Sequence, residues 1–239
     1  MDLLTSRRSY LLAPALALVA AAGLLLFWAF TEPLFCIRFF DNCDRSPFEL
    51  MTFPLFGLVI PLAWLCCPVG GTSRRKALWS AVFSWLGVFC VVRDTDLLKI
   101  ACRHAWPGVD AGFNFKMKFF ANPDVPLLAK AVVFAFYATT AAALVTAAVR
   151  WAWPLLRGFF RLEPVAWTVA TFGAFGVFSQ MAEKFGKICG AVGVEVTPKL
   201  SALFTVFEEG GESISATVML LALLQSYLFF GRPEGGEGW

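Results

Sequence analysis

Residues 127–149 read LLAKAVVFAFYATTAAALVTAAV, and they decide the class of this chain. At 1.5 Å rise per residue such a helix crosses a hydrocarbon layer about 30 Å thick, where only helices and closed barrels satisfy their backbone hydrogen bonds. Lys130 lies close enough to one end to snorkel. Working outward, five more apolar runs appear, at about 11–30, 50–69, 77–96, 164–182 and 214–230. None carries a formal charge at its centre. The expectation is an all-α, polytopic membrane helical bundle of about six transmembrane helices, a single transmembrane domain over 1–239.

Composition agrees. Hydrophobic residues make up 59% of the chain and charged residues 15%, against roughly 45–50% and 25% in soluble domains. The first run follows Arg7 and Arg8 like a signal peptide, but about 20 apolar residues exceed a secretory core, so it reads as an uncleaved anchor. Pro54 and Pro61 fall inside the second run, which bundle neighbours tolerate. The third run is expected to continue past Val92 as one helix, carrying Arg93, Asp94, Asp96 and Lys99 out of the lipid.

The basic clusters Arg7–Arg8, Arg74 to Lys76, and Arg150 with Arg157 and Arg161 fall on one side of such a bundle. The positive-inside rule then places both termini in the cytoplasm. Cys36, Cys43, Cys102 and Cys189 fall on the opposite side, where an oxidising compartment would permit disulfides. Four cysteines allow three connectivities, and the alternative is that they pack as small apolar residues.

Polar residues gather near that outer boundary: Arg93, Asp94, Asp96 and Lys99 after the third run, Glu183 and Lys184 after the fifth, and Glu208, Glu209 and Glu212 before the sixth. Helical spacing sets Asp96 beside Lys99 and near Arg103. Gly210 and Gly211 are expected to interrupt the helix and turn the three glutamates together. The group then either forms an interhelical salt-bridge network or makes a substrate or cation site. The loop from Trp106 to Phe120 mixes Phe113, Phe115, Phe119 and Phe120 with Lys116 and Lys118, a composition suited to the lipid headgroup layer. A short surface helix is expected from near Thr197.

Several chemistries lack residues. His104 is the single histidine, so three-histidine zinc and bis-histidine haem sites have no ligands. No Walker, dinucleotide or nucleophile-elbow motif occurs. No metal, cofactor or nucleic acid is expected. The bilayer is the expected surroundings, with a lipid headgroup or a membrane protein as partner. Gly57, Gly173 and Gly176, with Thr168, Thr171 and Ala141 to Ala143, read as close helix packing.

Four blocks, Asp44 to Leu50, Arg93 to Lys99, Phe115 to Lys118 and Glu208 to Glu212, resemble blocks in uncharacterised bacterial multi-pass membrane proteins. Those read Arg or Lys, Glu, any, Asp, any, His, Lys at the second block. Here Asp94 replaces the Glu and Leu98 the His. The resemblance implies a cell inner membrane protein with an outer acidic and basic cluster, and no activity. Two readings result: a noncatalytic bundle binding lipid or a partner protein at that cluster, or an enzyme or transporter acting there on a lipid-linked or periplasmic substrate.

Overall fold

The computed structural model describes residues 4, 7–40, 46–65, 73–94, 97–106 and 117–230. Among these residues every regular element is helical. A 3-10 turn at Arg7–Leu11 leads into α1 (Leu12–Phe30). Then come α2 (Pro33–Phe40), α3 (Pro47–Leu65), α4 (Ser73–Asp94), α5 (Leu97–Ala105) and α6 (Met117–Ala121). The chain closes with α7 (Leu127–Phe160), α8 (Pro164–Ala191) and α9 (Pro198–Phe230).

Three described helices are long and apolar enough to cross a membrane: Ser9–Phe30, Leu127–Phe160 and Pro164–Gly186. Shorter apolar helices lie at Thr52–Leu65 and Ala77–Arg93. Their outward faces would be costly in water. Phe30, Leu127, Val149 and Phe160 are 86%, 82%, 81% and 76% exposed, around a perimeter with little polar cover, which is where acyl chains replace protein as the neighbour.

Side-chain pairings fix the directions of the long helices. Tyr10, just before α1, meets Trp167 with rings 5.6 Å apart, and farther along Leu24 of α1 and Ser179 of α8 flank the adjacent Gly210 and Gly211, so α1 and α8 run the same way. Helix α9 runs against both, pairing Gln225 with Thr168 at one end and Phe204 with Phe185 at the other. Helix α4 returns along α3, with Ser84 Oγ donating to the Ile60 carbonyl at 3.3 Å. Helix α7 returns along α4: the Phe89 and Phe136 rings stand 5.7 Å apart, Trp85 Nε1 donates to Thr140 Oγ1 at 3.1 Å, and Trp79 meets Trp151 edge-on. Helix α9 is the hub, packing on α1, α2, α3 and α8.

The third run is described as α4, ending at Asp94, and an amphipathic α5, starting at Leu97; its expected continuation as one helix through Thr95 and Asp96 lies outside the described residues. Two expectations about element limits change. The fourth run continues past Val149 and through Pro154 to Phe160. The helix from near Thr197 is not a short surface piece. It is the first turn of α9, where Thr197 Oγ1 accepts from Leu200 N at 3.3 Å in an N-cap arrangement.

Part of the loop after α4 also differs in role. Helices α5 and α6 fold against the start of α7, burying Cys102 and Phe119 with Val125, Ala129 and Val133. Phe119 is therefore core, at 4% exposure, and not a headgroup anchor. Phe113, Phe115 and Lys116 lie outside the described residues.

Candidate functional site

Helix α9 passes without a break through Gly210 and Gly211, so the expected turn between the glutamates is absent. The glycines do something else. A Cβ on Gly211 would stand 2.9 Å from Ser179 Cβ and 3.4 Å from Ser179 Cα, and one on Gly210 would collide with Leu24. Their bare backbone lets α8 close on one flank of α9 and α1 on another. In a continuous helix Glu208 and Glu212 share a face, and Glu209 points about 100° away. The three carboxylates do not converge.

Glu212 is partly enclosed, its side chain 15% exposed. Arg93, in the last turn of α4, donates from Nη2 to Glu212 Oε1 at 3.1 Å. Gln180 Nε2 of α8 donates to the same oxygen at 3.3 Å. Glu183, one turn further along α8, adds to the negative field at Arg93. Beside this junction Ser179 Oγ donates to the Glu208 carbonyl at 2.9 Å, and the Thr52 and Ser213 hydroxyls pair, joining α3 to α9. Four long helices thus meet at one level, about 21 Å along α9 from its start at 1.5 Å per residue.

The structure brings together Arg93, Glu183 and Glu212 of the expected cluster. Glu208 and Glu209 sit on the same stretch of α9, both partly buried. Asp94 and Lys99 are helical, but their side chains lie outside what is described, as does Lys118 of α6; Asp96 and Lys116 fall outside it altogether. Thr52, Ser179, Gln180 and Ser213 were not anticipated. Their signal was present: Ser179 and Gln180 stand one turn before Glu183, the only adjacent polar pair inside the apolar run at 164–182.

Cys36, Cys102 and Cys189 are buried free thiols, and Cys43 lies outside the described residues. Cys36 packs with Phe40, Ala202 and Val206, whereas Cys102 belongs to the cluster at the start of α7. Burial pushes both thiols up from the ordinary cysteine value, which leaves them less thiolate at neutral pH. Among the described residues no group of three or more His, Cys, Asp or Glu could hold a metal ion.

A second polar junction lies deep between α8 and α9. Thr168 Oγ1 has Pro164 O at 2.9 Å and Gln225 Oε1 at 2.6 Å, with one proton for two acceptors. Turning the amide lets Gln225 Nε2 donate to Oγ1 while the hydroxyl serves Pro164, which pairs an Nε2 otherwise buried alone. This is packing glue between two helices. Of the glycines expected to pack helices, Gly57 and Gly173 meet nothing within 4 Å, and Gly176 is only near Ser215 Oγ at 3.8 Å. The close contacts belong to Gly87, Gly158, Gly210 and Gly211. In comparisons with protein families, curated proteins and solved structures, nothing matches this chain.

Proposed function

We propose that the chain is a noncatalytic bundle crossing a bacterial inner membrane six times, with both termini cytoplasmic, and that its polar end holds an anionic lipid headgroup on the outer side. One observation carries this reading: Glu212 Oε1 accepts from Arg93 and Gln180 together, while the same Arg93 side chain stays 49% exposed. A carboxylate working as an acid, base or cation ligand needs an open position. Glu212 spends its Oε1 joining α4 and α8 to α9. The half-exposed guanidinium keeps N–H groups free to meet a phosphate, a geometry arginine suits well. Lys116 and Lys118 are assigned to the same headgroup from the sequence.

The alternation of α1, α3, α4, α7, α8 and α9 supports six crossings, and it returns the basic clusters Arg150, Arg157 and Arg161 to the side of Arg7 and Arg8. Native mass spectrometry tests the lipid assignment, with the detergent-purified protein offered phosphatidylglycerol or phosphatidylcholine of equal chain length. Replacing Arg93, Lys116 and Lys118 together by Gln is expected to lower phosphatidylglycerol retention about tenfold or more, since each basic group near a surface contributes about 1 kcal/mol. Equal retention would overturn the reading. A folded Glu209→Gln or Asp96→Asn variant that abolished a cellular activity would favour the enzyme or transporter instead.

A further inference from the structure

Between α4, α7, α8 and α9 lies a cavity of about 490 Å³, within the range of about 300–1,000 Å³ usual for small-ligand sites. Its walls are almost wholly apolar, with Phe83 and Phe89 on α4, Leu155 on α7, Val169 and Phe172 on α8 and Leu223 on α9. Helix α7 lines it from Leu144 to Leu155, about 16 Å along the axis at 1.5 Å per residue. It is a slot lying parallel to the bundle axis, open on one side, and it ends at the corner where α7 turns into α8.

Two polar atoms in its lining are buried without a hydrogen-bond partner: Trp151 Nε1 and Glu163 Oε2. One is a donor, the other an acceptor, and burying either unpaired is costly. The Glu163 carboxylate sits over Gly158, whose missing side chain makes room for it: a Cβ there would be 2.6 Å from Oε2. Arg157 and Arg161, both exposed, flank the same corner. A negative group at the mouth of a greasy slot, with cations just outside, matches a zwitterion on an apolar chain.

We infer that this slot holds one acyl chain of an aminophospholipid drawn from the leaflet at the Arg150–Arg161 end. Its ammonium donates to Glu163 Oε2, its phosphate meets Arg157 or Arg161, and an ester oxygen accepts from Trp151 Nε1. An anionic phospholipid would satisfy the arginines and the tryptophan but bring no cation to Glu163. The site is separate from the Arg93–Glu212 junction, and loss of one leaves the other.

The test is native mass spectrometry of the full chain in detergent, with phosphatidylethanolamine and phosphatidylglycerol of identical long chains. The triple variant with Arg93, Lys116 and Lys118 replaced by Gln, which lacks the outer phosphatidylglycerol site, is expected to retain phosphatidylethanolamine preferentially. Glu163→Gln is expected to reduce that preference about tenfold, the factor that corresponds to one ordinary charged contact. Ala147→Phe, which fills the slot from α7, is expected to remove the adduct while the outer-site variants leave it unchanged. Because Ala147→Phe could also misfold, the wild type is offered phosphatidylethanolamine with six-carbon chains, and retention should fall sharply. Equal retention of short and long chains, equal binding of phosphatidylglycerol by the outer-site triple variant, or an undiminished adduct in a folded Ala147→Phe variant would overturn the inference.

Discussion

Helices α7 and α8 are neighbours in sequence and opposites in packing. The most apolar stretch of α7 has mean hydropathy 2.0 and is 11% buried in protein; that of α8 has mean hydropathy 1.3 and is 28% buried, and both helices are long and apolar enough to cross a membrane. The more apolar helix is the less enclosed, the reverse of what water would impose. In a bilayer, lipid tails are as apolar as leucine, so greasiness gives a helix no reason to leave them. What recruits α8 is small and polar surface. Ser179 touches Gly211, Thr168 reaches Gln225, and Gln180 meets Glu212. Helix α7 instead meets α4 through aromatic rings 5.6–5.7 Å apart, which hold the helices off and leave the slot beside them.

The sharpest way to break this contrast is to thicken the α8–α9 contact. Gly211→Val would drive a side chain into Ser179, including its backbone Cα at 3.4 Å. Overpacking of that kind costs about 3 kcal/mol where the neighbour cannot yield. The matched control is Gly173→Val on α8, where nothing lies within 4 Å and the change should stay within about 0.5 kcal/mol. Thermal unfolding in one detergent, followed by circular dichroism, compares them. Equal effects would mean that small residues do not define the contact.

A smaller effect is expected at the ion pair that ties α4 to α8 and α9. Arg93 is 49% exposed, so solvent screens much of the attraction, and Arg93→Gln should cost about 1 kcal/mol. Glu212→Ala should cost more than Arg93→Gln, because it removes the shared acceptor of two donors and leaves Arg93 without its charge partner. Unfolding midpoints measured at low and high salt check the assignment: added salt should narrow the gap between wild type and Arg93→Gln.

The helical membrane class was legible in the sequence because long apolar runs have few other uses. The cluster was legible only in part. Arg93, Glu183 and Glu212 stand out as charges at the ends of apolar runs, and they do meet. The turn expected at Gly210 and Gly211 failed because glycine pairs mean two things: in water they loosen a helix, and between membrane helices they let backbones touch. Which meaning applies depends on the partner helix, here α1 and α8, and a local reading does not contain it.

The gentlest test concerns the corner that sets α7 against α8. The chain reverses there through Leu162, which adopts φ 59°, in the left-handed region. Glu163 N donates to Gly158 O at 2.9 Å and Leu162 N to Phe159 O at 3.2 Å, the crossed pair of a Schellman turn, a position where glycine is usual. A leucine there carries a Cβ penalty of about 1 kcal/mol, and its side chain is 47% exposed, so little burial is lost with it. Leu162→Gly is therefore expected to raise stability by about 0.5 kcal/mol once the greater freedom of the unfolded glycine is subtracted. The unfolding midpoint should rise slightly, with phosphatidylethanolamine retention unchanged because Glu163 keeps its place. A fall in the midpoint would show that Leu162 reaches lipid at this corner, and that α7 is held by the bilayer as much as by the turn.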